Sequence, residues 1–134
     1  MSAVPERVRP TNVHARSSRE KLARMVMTLF EHWDLAPADQ AVLLGLSPQS
    51  RTTVARYRRG EPFADSADLL ARTGHLLAIH KALRILFPHD RDLAYRWVAA
   101  PNRRFGDAPP LEIMKRGFEG LLAVRRYLDF ERGR

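Results

Sequence analysis

From Ser47 to Gly60 the chain reads Ser-Pro-Gln-Ser-Arg-Thr-Thr-Val-Ala-Arg-Tyr-Arg-Arg-Gly, with no acidic residue between Pro48 and Gly60. These side chains suit nucleic acid. Arginine presents a planar fork to guanine O6 and N7, and glutamine matches adenine, each good bidentate pair giving about 1–3 kcal/mol of discrimination. On a helix that turns Val54 and Tyr57 to a core, Gln49, Ser50, Arg51, Thr52, Thr53 and Arg56 are left for base edges. Arg58 and Arg59, at the far end, suit phosphates, whose contacts bring salt-sensitive affinity without sequence information. The plainer reading is that these arginines form the solvated face of a small helical domain.

Other chemistries lack their residues. His14, His32, His75, His80 and His89 form no HxxxH or HExxH pair, and the chain has no cysteine, so disulfides and thiolate metal sites are excluded. No activated nucleophile, spaced acid–base pair or phosphate-cradling glycine loop is present, which makes an enzyme the weakest reading. The expectation is a binding module with no cofactor, metal or small-molecule substrate.

Lysine and arginine total 23 against 15 acidic residues, a net charge of +8. With a pI near 10.9, this points to a polyanionic or acidic partner, nucleic acid first. The basic residues are overwhelmingly arginine, Lys21, Lys81 and Lys115 being the lysines; an arginine-rich genome would produce the same count. A chain of 134 residues suits one compact unit, or two small ones sharing a core. No apolar run approaches the roughly 20 residues of a membrane span, and no apolar signal region follows the N-terminal charges. The absence of cysteine agrees with a reducing compartment, so a soluble cytoplasmic protein is expected.

The elements that position these residues read as all-α. Residues 1–18, with Pro5, Arg7, Arg9, Pro10 and Arg16, show no sustained apolar period and suggest a flexible basic arm. Leu22, Met25, Val26, Leu29, Phe30 and Trp33 then recur at helical spacing, with Ser18 as the N-cap candidate. A short helix follows over Ala38 to Leu44, ended by Gly45. The next opens at Ser47-Pro48 and stops at Gly60, making a helix-turn-helix. From Asp65 or Ser66 a long helix, apolar on more than one side, runs to Pro88 and predicts a spine buried between neighbours. Asp90 to Val98 reads as one helix with Leu93 and Trp97 inward. After the Pro101-to-Pro110 corner a last stripe runs from Leu111 through Leu128, interrupted by Gly117 and Gly120, which mark close packing or a turn.

Trp33, the run Pro37-Ala-Asp-Gln-Ala-Val-Leu-Leu-Gly-Leu-Ser47 and Tyr57-Arg-Arg-Gly-Glu61 resemble the Xre-like helix-turn-helix half of type II antitoxins. Ile79 to Pro88 looks like their linking helix. Trp97, Pro101-Asn102, Phe105-Gly106, Pro110-Leu111 and the ending from Gly120 to Asp129 resemble the Xre/MbcA/ParS toxin-binding domain. The resemblance covers Arg19 to the C-terminus and implies a helix-turn-helix domain over 19–84 and a toxin-binding domain over 85–134. It further implies an antitoxin that neutralises a RES-domain toxin and represses their shared operon through operator DNA. Such toxins consume NAD, which is then the toxin's substrate and not this chain's cofactor.

In that family the C-terminal end obstructs the toxin's active-site entrance. Here this carries over to a short tail and the helix before it: Arg125, Arg126, Tyr127, Phe130, Glu131, Arg132 and Arg134. At the corner, Arg103, Arg104 and Asp107 are expected to make flanking contacts, with Trp97 and Phe105 as internal struts. One departure is local: Pro48-Gln49-Ser50 are extra residues in the family's turn, so the recognition helix starts either at Ser47 or with Ser50 as its cap. Operator half-sites call for two copies, as a homodimer or a hetero-oligomer with the toxin. The competing reading is a free-standing regulator whose C-terminal half serves dimerisation.

Overall fold

A computed structural model describes residues 12–134. Among these, seven α-helices follow one another: α1 (Arg16–His32), α2 (Pro37–Leu43), α3 (Arg51–Arg58), α4 (Ala67–Leu86), α5 (Arg91–Arg96), α6 (Pro110–Met114) and α7 (Phe118–Arg132). Trp97–Ala99 and Arg103–Phe105 are 3-10 turns, and no strand occurs among the described residues. The all-α expectation holds. Pro5, Arg7, Arg9 and Pro10 of the expected arm lie outside the described residues.

Helix α1 buries Ala23, Val26, Met27, Leu29 and Phe30. Met25 is 45% exposed, because it sits just off the line through 23, 26, 27 and 30. The helix opens at Arg16 with Ala15 as N-cap, not at Ser18. Arg19 secures this early start: its Nη1 donates to the Phe63 carbonyl (2.8 Å) and its Nε to the His14 carbonyl (3.0 Å).

The first three helices end in the same way. Gly45 (φ 79°) lets its N–H donate to the Val42 carbonyl and the Leu46 N–H to the Ala41 carbonyl, both at 2.9 Å. Gly60 (φ 105°) repeats this after α3, with Glu61 N–H to Arg56 O at 3.1 Å, and Asp34 (φ 55°) does so after α1. Each pair satisfies carbonyls that a helix end leaves orphaned.

Helix α4 is the spine that its apolar faces predict. Ser66 caps it, its Oγ accepting from Leu69 N–H at 3.2 Å. Leu69, Thr73, Leu76, Ile79, Ala82 and Leu83 are buried, and the helix packs against α1, α5 and, most extensively, α7. The buried Thr73 hydroxyl donates to the Leu70 carbonyl at 2.8 Å, which removes the cost of burying it unpaired.

The single helix expected over Asp90 to Val98 is two pieces. The α-helix stops at Arg96 and tightens into the 3-10 turn, so Ala94 and Val98 enter the core while Leu93 and Trp97 are half-buried. Gly117 (φ 131°) breaks the final stripe into α6 and α7. Gly120 has a different reason: a Cβ there would lie 1.9 Å from the Ile113 carbonyl oxygen, so the two backbones touch. No helix among the described residues is long and apolar enough to cross a membrane.

Candidate nucleic-acid and protein interfaces

Helices α2 and α3 and the Gly45 turn form the helix-turn-helix. Of the two starts open in the sequence, α3 takes the later one, beginning at Arg51 with Ser50 as N-cap. The start at Ser47 is displaced because Pro48-Gln49-Ser50 close a turn of their own. Ser50 N–H donates to the Ser47 carbonyl (2.9 Å) and Gln49 N–H to Ser47 Oγ (3.2 Å). Gln49 and Ser50 therefore precede the helix.

Val54 and Tyr57 face inward as expected, the Tyr57 hydroxyl accepting from Ala64 N–H at 3.4 Å and its ring meeting Phe63 edge-on. Arg51, Thr52, Arg56 and Arg59 are exposed and share the outer arc of α3, while Thr53 is half-buried. Arg58 turns back toward α2. Its Nη2 lies 3.5 Å from Oε1 of the buried Gln40, whose Nε2 donates to the Leu35 carbonyl at 2.9 Å. Arg56 is also partnered, its Nε donating to Glu61 Oε2 at 3.1 Å.

The second set of residues gathers where the corner meets α7. Asn102 closes the corner: its Oδ1 accepts from Arg104 N–H (2.9 Å) and its carbonyl from Asp107 N–H (3.0 Å). Arg103, Arg104 and Asp107 are all exposed on it. Tyr127 is held by three neighbours: the near-parallel Trp97 ring (6.4 Å between centroids), the edge of Phe105 (5.5 Å) and the Arg104 guanidinium, 5.4 Å from its centroid. Trp97 and Phe105, half-buried against the core, act as struts. Beside them lies a groove of about 490 Å³ lined by Arg104, Phe105, Ala123, Arg126, Tyr127 and Phe130. Phe130 is 66% exposed on its rim, and Glu131 borders an adjoining hollow.

The structure adds two facts about this end. The ending is no loose tail, since α7 continues to Arg132 and Arg134 Nη1 holds both Glu131 oxygens at 3.2 Å. Nor do all the named arginines meet. Arg125 and Arg132 lie off the groove and pair with Asp129 at 3.6 and 3.9 Å. Arg125 Nη1 also sits 2.9 Å from His75 Nδ1. Burial first, then the charges of Arg125 and Arg126, hold the His75 pKa below its ordinary value, so the neutral ring accepts this bond.

The two halves are tied together by Lys115, whose Nζ lies 3.0 Å from Asp39 Oδ1 on α2 and 3.3 Å from Glu112 Oε1 on α6.

Comparison with known proteins matches both halves. Residues 14–78 fit the antitoxin Xre-like helix-turn-helix domain, and residues 82–134 fit the antitoxin Xre/MbcA/ParS C-terminal toxin-binding domain. The chain belongs to the Xre/MbcA/ParS antitoxin family. A similar protein is the uncharacterized y4oB of Sinorhizobium fredii, 38% identical over 104 residues that make up 77% of this chain and 78% of that one. As a type II antitoxin by family, the protein joins a DNA-binding type of domain to a toxin-binding one, and the first matched stretch ends and the second begins within α4.

Sequence reasoning about the antitoxin missed the partners of its arginines: Glu61, Gln40 and His75. Only Glu61 left a signal, because a glycine-terminated helix brings the residue after the glycine back over the last turn.

Proposed function

We propose that this antitoxin neutralises a RES-domain toxin by laying the exposed side of α7 across the toxin's NAD-consuming site, and that α3 reads an operator so that the pair limits its own expression. The observation that carries the first part is the groove beside Tyr127. An exposed aromatic next to a braced aromatic ring, edged by Arg126 and Glu131, is the kind of patch that supplies binding energy when covered. The family resemblance supplies the toxin class, and NAD belongs to the toxin alone. The operator reading is supported by the +8 charge and by the shared outer arc of Arg51, Thr52, Arg56 and Arg59. Two copies, paired directly or through toxin subunits, would face two half-sites in the cytoplasm.

Co-expression with the neighbouring reading frame tests this. The full chain is expected to co-purify with that product, keep cellular NAD at its normal level and sustain growth. A chain ending at Leu128, the last core residue of α7, is expected to melt normally but to lose most of the protection. Full protection by the shortened chain sinks the α7 reading, and a neighbour that leaves NAD untouched sinks the RES assignment. A chain that pairs only with itself would favour the free-standing regulator.

A further inference from the structure

Arg56 and Glu61 are joined twice. The Glu61 N–H donates to the Arg56 carbonyl at 3.1 Å as part of the Gly60 helix end, and the Arg56 Nε donates to Glu61 Oε2, also at 3.1 Å. The backbone bond fixes where the carboxylate starts, and the carboxylate then fixes which edge of the guanidinium is occupied. Both side chains are about half exposed, 49% for Arg56 and 46% for Glu61. An exposed pair of this kind contributes little to folding stability.

The neighbouring charges sharpen the contrast. Arg51 and Arg59 share the outer arc of α3 with Arg56, and neither forms an ion pair among the described residues. Arg56 is the arc's restrained arginine. Its Nε is taken, which leaves Nη1 and Nη2 as the donor pair pointing away from Glu61, and two parallel donors are what guanine O6 and N7 accept. An unrestrained arginine would reach phosphates and bases alike. Restraint removes that freedom before binding, so less entropy is lost when the base pair is engaged. The carboxylate also repels the phosphate backbone, which lowers affinity for all sequences equally.

We infer that Glu61 is a positioning residue that presents the Nη edge of Arg56 to one base pair, raising sequence discrimination at the expense of general DNA affinity. The inference rests on the proposed reading of DNA by α3.

The test uses the full chain at one fixed salt concentration. A preferred duplex is selected from a randomised library, and binding is then measured to its single-base-pair variants and to an unrelated duplex. For Glu61→Ala, discrimination at one base pair is expected to fall about fivefold to tenfold, within the range a bidentate contact provides. Affinity for the unrelated duplex is expected to rise. Arg56→Ala should erase preference at the same base pair, and the double variant should lose no more than Arg56→Ala alone. Glu61→Gln, which keeps an acceptor without the charge, should restore part of the discrimination, and thermal unfolding should not move. If Glu61→Ala strengthens binding to every duplex by one common factor, the residue is only a repulsive charge and the inference is overturned. If its loss adds to that of Arg56→Ala, it does not act through Arg56. Should the unaltered chain select no sequence at all, the DNA reading itself falls, an outcome distinct from either of these.

Discussion

Single residues tie the two halves together, and Lys115 is the clearest case. Its side chain is 28% exposed and that of Asp39 27%, so the pair is partly shielded from solvent. The hydrogen bond to Asp39 raises the Lys115 pKa; burial opposes it, and Glu112 adds to the rise. A raised folded-state pKa contributes stability that is complete below the unfolded value of about 10.4 and is lost as pH climbs through the higher folded value. Lys115→Met is therefore expected to lower unfolding free energy by about 0.5–1 kcal/mol at neutral pH. In denaturant titrations that deficit should shrink toward zero only at strongly alkaline pH. A deficit that vanishes near pH 6 instead would assign the effect to a histidine. Nothing in the local sequence announces this pair, because Lys115 and Asp39 lie on helices far apart in the chain.

Element ends were more legible than element faces. Gly45, Gly60 and the Pro37 start are local signals, since the backbone conformations they permit do not depend on distant residues. The start of α3 was ambiguous because both Ser47 and Ser50 are acceptable caps, and the turn bonds among residues 47–50 decide between them. Gly117 and Gly120 looked alike in sequence yet do different things, one breaking a helix and the other admitting a backbone. Gly120→Ala should reveal the second role. Alanine favours a helix over glycine by about 1 kcal/mol, but the added methyl meets the Ile113 carbonyl at 1.9 Å. The net result is expected to be destabilisation by about 1–3 kcal/mol, as in overpacked cores, read from chemical denaturation. Stabilisation would mean that α6 moves aside freely.

Across the whole molecule the domains share α4. The sequence suggests a boundary at residue 84, and one family match ends and the other begins within α4, yet that helix buries Leu76, Ile79, Ala82 and Leu83 in a common core with Leu121, Val124 and Leu128 of α7. Fully burying one such side chain is worth about 1.5–3 kcal/mol. A fragment ending at residue 84 leaves that face uncovered and is expected to lose cooperative thermal unfolding and to bind a hydrophobic dye. A sharp melt from that fragment would show instead that the helix-turn-helix half stands alone. The same sharing makes Lys115 and Asp39 neighbours, an ion pair that joins the toxin-binding half to α2.

The sequence by itself determined the helical class, the helix-turn-helix and the buried spine, because periodicity, caps and glycine stops are encoded over a few residues; the family followed from the resemblance of its motifs. It also picked out most of the residues that gather around Tyr127. Only the tertiary structure decided which arginines are free and which are held: Arg56 by Glu61, Arg58 by Gln40, Arg125 by His75. It likewise turned the expected tail into the last turns of α7 and separated Arg125 and Arg132 from the groove. The physical reason is common to all of these. A charge type is a property of one residue, whereas its partner is whatever chain folding brings within about 3 Å.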